Sequence, residues 1–475
     1  MSKKLFVSLE RNKKELESYF KNSADFYFKN IKIFSADCAV VMCEDLTDSL
    51  KLRQVFLNPL NNLKGDKSAQ EVFEYMKNET TIPFNASEVA DFDQAMFFLT
   101  AGFGLIFIDG TDKAMVMPVQ GYPARGVEKP ANENNLRGSR ESFTDTGRKN
   151  MGMIRRRIRS ENLAVKTLQV GDRTKTEVTI YYHTDCCPEG LPKRVEERIE
   201  SVDLPMIFET GYLSPFVDRT KFSLFQSVLY TERPDTFCAK LCEGKVGIIV
   251  DGTPNAMVYP AFFQDNFVTN DDYTQRPYFA SFIRLIRYFS FLISIMLPGL
   301  YVAFTSYAPQ SVADKLIFYF HSSKNSTPLP LFAEAVVIIL LFEVIKEAGL
   351  RLPSPIGSTV SIVSALIIGD AAVSAGLIGS ALLIVCAVST VASFTIPAFY
   401  EAVIVLRIIF IICAGFFGLP GIVFAVMFTA VNIINVNSDG YDYISTASHK
   451  DIPAADGIFK NSWRKLQGKS YTLRR

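Results

Sequence analysis

Histidine, tryptophan and cysteine are scarce in this chain of 475 residues, which contains 3, 1 and 8 of them. The histidines stand far apart, and the nearest approach to a ligand pattern is Cys186–Cys187 with Cys238 and Cys242. A zinc site needs four ligands at short spacings, and a disulfide framework needs regularly placed cysteines. We therefore predict reduced, buried thiols, no metal and no other cofactor.

An excess of charge of either sign is also missing, since 50 Lys and Arg residues oppose 49 Asp and Glu residues. No basic field is available for nucleic acid, so we expect none as a partner. The motifs GxSxG, GxxxxGKS/T and HExxH do not occur in the sequence. These motifs mark hydrolase, phosphate-loop and zinc-protease chemistry, so we predict that the chain is not an enzyme.

The N-terminus lacks the apolar stretch of a secretory signal, because Lys3 and Lys4 soon run into the charged segment RNKKELE. Most of the charge lies in residues 1–287, whereas 288–438 is poor in charge and rich in apolar residues. We expect the first part to remain in the cytoplasm and the second part to enter a membrane.

Two stretches of the charged half repeat each other at a constant offset of 142 residues. GLIFIDGTDKAMVMP (104–118) and VGIIVDGTPNAMVYP (246–260) share eight of their fifteen residues. Each has an apolar run, an Asp-Gly pair and a second apolar run, and glycine accepts the positive φ of a hairpin turn. A phosphate site at the DGT triplet is the alternative, and the hairpin is favoured. With a helical pattern before each hairpin, the repeat predicts two tandem α/β subdomains.

Between the repeats, residues 120–150 are rich in polar residues, glycine and proline, which is typical of a solvated linker. The continuation begins as a helix and carries Arg155, Arg156, Arg157 and Arg159 within one and a half turns. So many arginines cannot all find partners across one helix face. Two interpretations stay open, namely contacts with phosphates or an acidic partner, or a solvated helix.

The apolar half predicts a polytopic helical membrane domain. The first segment has 26 residues without a charge, about 39 Å as a helix, against a bilayer core of about 30 Å. The third is long enough for two crossings, with Gly376 and Gly379 at the return, and the fourth has a break at 418–421 that suggests two short helices or a re-entrant hairpin. The segments are residues 288–313, 331–349, 358–399 and 402–434.

Basic residues on both sides of the apolar half predict its orientation. Arg284 and Arg287 precede the first segment, and the tail 437–475 holds seven Lys and Arg residues. By the positive-inside rule both termini lie in the cytoplasm, so the number of crossings is even, four or six. The fold class is thus α/β plus a helical membrane domain. The expected domains are subdomain 1 at 1–118, an Arg-rich linker at 119–162, subdomain 2 at 163–280, the transmembrane domain at 281–436 and the tail at 437–475.

Glu334, Glu343, Asp370 and Arg407 interrupt the apolar segments. Charges inside a bilayer are costly and face a partner or water rather than lipid. Glu334 and Glu343 are nine residues apart, which puts them on opposite faces of one helix. Two interpretations stay open, either salt bridges, Glu343 with Lys346 or Asp370 with Arg407, or an acidic ring in an oligomeric cation pore.

The stretch RGVEKPANENNLRGSRESFTDTGRKNMGMIRRRIR (125–159) resembles the signature of the A subunits of GerA-type spore germination receptors. The resemblance continues in order through LYTERPD (229–235), the membrane entry SFIRLIRY (281–288) and EAGLRLPSPIG (347–357). Departures are Ser139 and Ser142 in place of Pro and Gly, Ile339 in place of a glutamate, and Asp370 in place of Glu. The matching signature positions are Arg125, Gly126, Arg137, Gly138, Arg140, Glu141, Arg155, Arg156 and Arg157.

The resemblance implies an oligomeric, ion-conducting protein of the inner spore membrane that releases cations and triggers germination. It implies as partners a permease-like B subunit that senses the nutrient, a lipoprotein C subunit and further copies of the chain. Because the signature has little apolar content, we expect its arginines to serve assembly rather than a core. Alternatives are a SpoVAF-like accessory channel that amplifies germination, or a membrane-anchored sensor without conduction.

Overall fold

The computed structural model contains two α/β units followed by a bundle of apolar helices. The first unit precedes residue 122, the second lies between residues 138 and 262, and the bundle begins at Pro277. The structure describes residues 3–20, 25–43, 46–58, 65, 67–79, 85–121, 133, 138–218, 220, 223–311, 327–352, 367, 369–444, 458–462 and 464.

Each unit is built on a five-stranded antiparallel sheet. The strands are β1 Phe26–Ile33, β2 Ala36–Cys43, β3 Asn85–Val89, β4 Gly104–Ile108, β5 Ala114–Met117, β6 Leu163–Val170, β7 Thr176–His183, β8 Leu229–Thr231, β9 Val246–Val250 and β10 Ala256–Tyr259. The first sheet has the order β1-β2-β4-β5-β3 and the second the order β6-β7-β9-β10-β8. The same order in both sheets confirms the predicted duplication.

The repeated motif forms the same hairpin in both units. Gly104 pairs with Met117 in the first, and Val246 pairs with Tyr259 in the second. The turn glycines have positive φ, +92° at Gly110 and +97° at Gly252, a region that a side chain would strain. All residues of the four strands are buried. The DGT triplet is therefore a hairpin turn between two central strands of each sheet.

Fourteen helices, besides a helical stretch at 369–374, surround the sheets and form the bundle in the described part of the chain. They are α1 Leu9–Tyr19, α2 Ser49–Lys51 with its π-helical continuation Leu52–Leu57, α3 Ala69–Glu74 with its π-helical continuation Tyr75–Glu79, α4 Phe92–Thr100, α5 Gly147–Arg157, α6 Leu191–Glu200, α7 Ser214–Val217, α8 Pro234–Cys242, α9 Asn270–Thr274, α10 Pro277–Tyr307, α11 Leu331–Arg351, α12 Ser380–Ser393, α13 Tyr400–Phe417 and α14 Leu419–Ile434. Short 3₁₀ turns lie at Thr210–Tyr212, Phe263–Phe267, Pro309–Ser311 and Pro397–Phe399.

Both sheets are covered by helices on their two faces, so each unit has three layers. In the first unit, α1 and α4 bury apolar side chains on one face, and α2 and α3 with their continuations cover the other. In the second unit, α5 and α8 cover one face and α6 the other. An antiparallel sheet with both faces buried is consistent with central strands that are apolar throughout rather than alternating.

The repeat extends further than the sequence motif shows. Helices α4 and α8 stand at the motif's offset of 142, and α1 and α5, both of 11 residues, stand 138 positions apart. The hairpin aspartate caps this first helix in each unit. Asp109 Oδ1 accepts from the Leu9 amide at 2.9 Å, and Asp251 Oδ1 accepts from the Gly147 amide at 2.7 Å. A carboxylate at a helix N-terminus satisfies a free amide and complements the helix dipole.

A buried asparagine repeats with the same two hydrogen bonds. Asn12 on α1 accepts from the Phe6 amide at 2.8 Å and donates to the Phe6 carbonyl at 2.6 Å. Asn150 on α5 makes the same pair of bonds to the Thr144 backbone, at 2.8 and 2.6 Å. Each amide side chain thereby imitates a strand neighbour and fixes the segment before its helix.

The bundle is formed by five helices, α10 to α14. Helix α10 has 31 residues and packs against α12 and α13. Gly418, at φ +63°, separates α13 from α14, so the helical path breaks at the predicted position. Among the described residues, two helical stretches are long and apolar enough to cross a bilayer, Pro277–Tyr307 and Pro397–Phe417.

The second unit joins the bundle through an aromatic core. Phe225, Phe267, Phe291 and Phe399 pack in one cluster, with ring centroids 5.3 to 6.4 Å apart. Phe225 and Phe267 precede the bundle in the chain, and the other two belong to the bundle. This shared core connects the second unit directly to the helices.

Candidate functional site

The signature helix α5 carries a fully buried arginine. Arg155 has no exposed surface and forms a bidentate pair with Asp25, with Nε to Oδ2 at 2.7 Å and Nη2 to Oδ1 at 3.0 Å. Burial alone would lower the pKa of the Arg155 guanidinium, and attraction to Asp25 outweighs it, so the pKa lies above its ordinary value. Asp25 immediately precedes β1, so this pair joins the second unit to the first.

The two following arginines share one acceptor. Arg156 and Arg157 both donate to Glu141 Oε2, and Arg157 also donates to Ser139 Oγ at 3.2 Å. Burial would raise the pKa of the Glu141 carboxyl, and the two guanidinium groups outweigh this and lower it. The interpretation of a solvated helix is therefore wrong for these arginines. Their acidic partners belong to the same chain because the backbone before α5 folds back along it.

The predicted linker is also part of a core. Phe143, Met151, Ile154 and Ile158 are buried against the second sheet. The expectation that this stretch stabilises no core is wrong, because its few apolar residues recur at helical spacing on one face of α5. Its role in assembly stays a prediction.

Two parts of the signature that are distant in sequence lie together. Arg233 Nη2 donates to the Ser139 carbonyl at 2.8 Å, and the Phe143 amide donates to the Glu232 carbonyl at 2.8 Å. Gly138 has φ +113°, which suits glycine, and Arg140 is exposed. Arg125, Gly126 and Arg137 lie outside the described residues.

Arg407 is the buried charge at the centre of the bundle. Its Nε donates to the Ser294 carbonyl at 2.8 Å and its Nη2 to the Ser389 carbonyl at 3.2 Å. Pro298, four residues after Ser294 in α10, has no amide hydrogen, so the Ser294 carbonyl has no ordinary helical donor. The Arg407 guanidinium on α13 supplies the missing donor to the Ser294 carbonyl. Ser389 Oγ on α12 donates to the same carbonyl at 2.8 Å. The proline thus creates the acceptor that holds Arg407.

Glu343 supplies the carboxylate nearest to Arg407. Its Oε1 lies 3.8 Å from Arg407 Nη1, and its Oε2 accepts from the Tyr400 hydroxyl at 2.7 Å. The predicted pairing of Asp370 with Arg407 is not found, because Glu343 on α11 occupies that place. Lys346, the predicted partner of Glu343, instead has its Nζ 3.3 Å from the centroid of the Tyr400 ring.

Asp370 and Glu334 have different surroundings. Asp370 lies in a helical stretch at 369–374 and is exposed, and the ion pairs found among the described residues do not include it. Glu334 is buried, with 1% exposure, and accepts from the Gly379 amide at 2.5 Å and from Thr327 Oγ1 at 3.2 Å. Gly379 precedes the first residue of α12, so Glu334 caps that helix. Glu334 and Glu343 contact different elements, and the hydrogen bonds and ion pairs of the described residues connect neither of them to Asp370.

The family model described as the Bacillus/Clostridium GerA spore germination protein matches residues 14–471. The chain belongs to this family. Spore germination protein KA of Bacillus subtilis (strain 168) is 33% identical over 466 residues, covering 96% of this chain and 85% of the relative. Stage V sporulation protein AF of the same strain is 26% identical over 443 residues, covering 91% and 89%. The resemblance found in the sequence is therefore confirmed.

A solved structure also matches the chain. It is the crystal structure of the N-terminal domain of the A subunit of the Bacillus megaterium spore germinant receptor GerK3. The match has a TM-score of 0.43 and 24% identity, and it covers 55% of this chain and 98% of the solved chain.

Two buried lysines of this GerA-family chain were not predicted from the sequence. Lys240 and Lys245 both bind the carboxylate of Asp265, at 2.8 and 2.5 Å, where the second unit meets the bundle. Burial alone would raise the pKa of Asp265, and the two ammonium groups outweigh it, so its pKa lies below the ordinary value. Asp272 Oδ2 forms ion pairs with Arg284 Nε at 3.0 Å and with Arg287 Nη1 at 2.8 Å. Both lysines precede the second repeat of the hairpin motif and have apolar neighbours in the sequence. A lysine in such an apolar stretch is the pattern that could have indicated a buried charge.

Proposed function

We propose that this chain is the A subunit of a nutrient-responsive spore germination receptor and forms its oligomeric, ion-conducting component. It would lie in the inner spore membrane with a permease-like B subunit and a lipoprotein C subunit. The observation that carries this proposal is a helical bundle with charged side chains at its centre, joined to a duplicated soluble region in a chain of the GerA family.

Several features support the membrane arrangement. Arg284 and Arg287 are tied to Asp272 at the start of α10, where the helix leaves the soluble region. Basic residues at this end favour the cytoplasmic face, so both termini are proposed to lie there with four or six crossings. Helix α10 is about 46 Å long at 1.5 Å per residue, so it exceeds a bilayer core of about 30 Å.

Asp370 is the proposed pore carboxylate. Arg407 is already held by Glu343 and by carbonyl groups, so Asp370 has no role in neutralising it. An exposed carboxylate in an apolar segment needs water, a cation or a partner. In a ring of identical chains, copies of Asp370 around an aqueous axis would attract cations and repel anions.

The test is Asp370→Asn in the intact receptor. We expect lower cation release during germination, with normal abundance and oligomeric state, because the substitution removes charge and keeps size. Asp370→Glu, which keeps the charge, should be mild and serves as the matched control. Normal cation release at normal abundance in Asp370→Asn would refute the pore role.

Glu343→Gln separates conduction from bundle stability. It leaves Arg407 buried without its carboxylate, so the expected result is low abundance or poor insertion, with cation release falling only in proportion. If abundance stays normal while cation release fails, Glu343 rather than Asp370 carries the conduction role.

The receptor assignment is favoured over the accessory-channel branch by sequence identity, 33% to the protein KA against 26% to the stage V protein AF. Genes for a permease-like protein and a lipoprotein beside this gene would support a receptor subunit. Deletion of the gene should abolish the response to one nutrient; a uniform slowing of germination with all nutrients would instead indicate an accessory channel.

A further inference from the structure

A short hairpin follows the last helix of the bundle and docks on the second soluble unit. Its strands are β11 Asn437–Ser438 and β12 Tyr441–Asp442. Asp439 and Gly440 form the turn with φ of +58° and +86°, the two positive values of a type I′ hairpin. Aspartate tolerates this conformation better than most residues, so the turn can present a carboxylate at its tip.

The tip carboxylate is buried against α6, where it pairs with Arg198 and lies 3.7 Å from Arg194 Nε through its Oδ2. Asp439 Oδ1 accepts from Arg198 Nη2, and the two side chains are 3% and 13% exposed. Arg198 Nη1 also donates to the Val217 carbonyl at 3.0 Å, and its guanidinium lies 5.6 Å from the Tyr259 ring centroid. Arg198 therefore joins α6, α7 and β10 of the second unit to the hairpin.

A second contact lies one helical turn before the hairpin. Asn432 Oδ1, on α14, accepts from the Leu224 amide at 2.9 Å and from Ser223 Oγ at 3.0 Å. Two polar anchors therefore hold the end of α14 and the hairpin against one face of the second unit. Both anchors are side chains of residues beyond the break at Gly418, so they act on α14 rather than on α13.

We propose that Arg198, Asp439 and Asn432 form a latch that transmits movement of the second unit to helix α14. If the second unit shifts, either α14 moves with it or the buried pair of Arg198 and Asp439 separates. Separation would be costly because it leaves both charges without a partner and away from water. The soluble unit and the last helix therefore move together. Arg198 and Asp439 are positioning residues in this mechanism, which rests on the proposed receptor function for its physiological readout.

The test is a double-mutant cycle of Asp439→Asn and Arg198→Gln in the full-length chain. Asparagine keeps the left-handed turn and the size of the side chain and removes only the charge. Each single variant should slow the germination response at least about fivefold, the lower end of typical coupling between sites. Because both act on one pair, the double variant should be no slower than the slower single variant. Glu197→Gln is the matched control. Glu197 precedes Arg198 on α6, its side chain is 61% exposed, and its ion pair is with Lys193.

Hydrogen exchange of the purified full-length protein gives a readout that does not depend on germination. In each single variant, amides at 432–444 should exchange faster, whereas those of β6 and β7 should stay protected. Unchanged exchange at 432–444 would refute the latch even if germination changes. Faster exchange with a normal response at normal abundance would refute transmission, and additive effects of the two substitutions would refute the pairing. If loss of the whole chain leaves germination unaffected, the proposed function fails, while exchange still decides the latch.

Discussion

The two α/β units share a backbone plan and differ in what their side chains face. The hairpin aspartates, the helix caps and the buried asparagines are the same in both. In contrast, Phe98 and Phe103 of the first unit correspond to Lys240 and Lys245 of the second at the common offset of 142. The aromatic pair contributes to the first unit's own core, whereas the lysines bind Asp265 next to the bundle. The two copies share the hydrogen bonds around their first helices, and only the second has lysines at these two positions, where it meets another part of the chain.

The cores also differ by an exchange of volume. Leu105 and Ala95 of the first unit correspond to Gly247 and Phe237 of the second. A Cβ at Gly247 would lie 2.1 Å from the Phe237 ring, so glycine there makes room for the larger partner. A large strand residue with a small helix residue fills the space between sheet and helix in the first unit, and the reverse arrangement fills it in the second. The summed volume of the pair is therefore what the two units share, rather than the size of either residue.

The largest effect that would sharpen the comparison is expected at Arg155, whose counterpart in the first unit is the exposed Glu17. Arg155→Met leaves Asp25 buried without its partner and should destabilise both units by about 3–5 kcal/mol. Denaturant unfolding of the full-length protein, followed by hydrogen exchange in both sheets, measures it.

Glu17→Met is the control for Arg155→Met and should change stability by less than about 0.5 kcal/mol. Adding Asp25→Leu to Arg155→Met should restore most of the loss, because an apolar pair replaces the ion pair. Equal stability of Arg155→Met and the unaltered chain would mean that the two units are not joined through this pair.

The exchange of core volume predicts the next largest effect. Gly247→Ala should destabilise the second unit by about 1–3 kcal/mol, because the new methyl group overlaps the Phe237 ring. Combining it with Phe237→Leu should recover part of the loss. Protection of β9 amides measures the effect, and the amides of β4 in the first unit are the internal control. A neutral Gly247→Ala would break the comparison of the two cores.

The shared asparagines should contribute equally. Asn12→Ala and Asn150→Ala each leave a buried backbone amide and carbonyl without a partner, which should cost about 1–3 kcal/mol. Local unfolding free energies from hydrogen exchange in each sheet test this. If the two values differ by more than about 1 kcal/mol, the units are not equivalent at this position.

The last comparison concerns pH, to which the two edge strands should respond in opposite directions. Hydrogen bonds from Lys113 and Lys77 lower the pKa of Glu88 on β3, so this stabilisation is lost as pH falls through the lowered pKa. Burial raises the pKa of Glu133, which accepts from Thr231 on β8, to about 7. The stability linked to Glu133 is therefore present below about pH 4.5 and is lost as pH rises through 7. Glu133→Gln should abolish that loss in β8 exchange between pH 5 and 8; a persistent loss would assign it elsewhere.

The sequence predicted the features that local chemistry decides. The Asp-Gly turns, the constant offset and the apolar runs indicated the hairpins and the duplication. Gly418 with the following Leu-Pro-Gly indicated the break between α13 and α14, because a proline tolerated at a helix start and a glycine with positive φ end one helix and begin another. These patterns need no knowledge of distant partners.

The errors arose where the partner is remote in sequence. Asp25 and Arg155 are separated by 130 positions, and Glu343 and Arg407 lie on different helices. Composition assigned α5 to a linker because its buried face needs only a few apolar residues among many arginines. Glu334, predicted as an intramembrane charge, also caps α12 through the Gly379 amide, a contact that no local pattern encodes.

The bond between Arg155 and Asp25 also constrains the order of events on the ribosome. At about 5–20 residues per second, Asp25 is synthesised about 7 to 26 s before Arg155 exists to bind it. During that interval the Asp25 carboxylate lacks its arginine partner, so this contact beside β1 forms only after α5 has been synthesised. The N-terminal unit therefore reaches its full set of contacts only when the helix that opens the next unit has joined it.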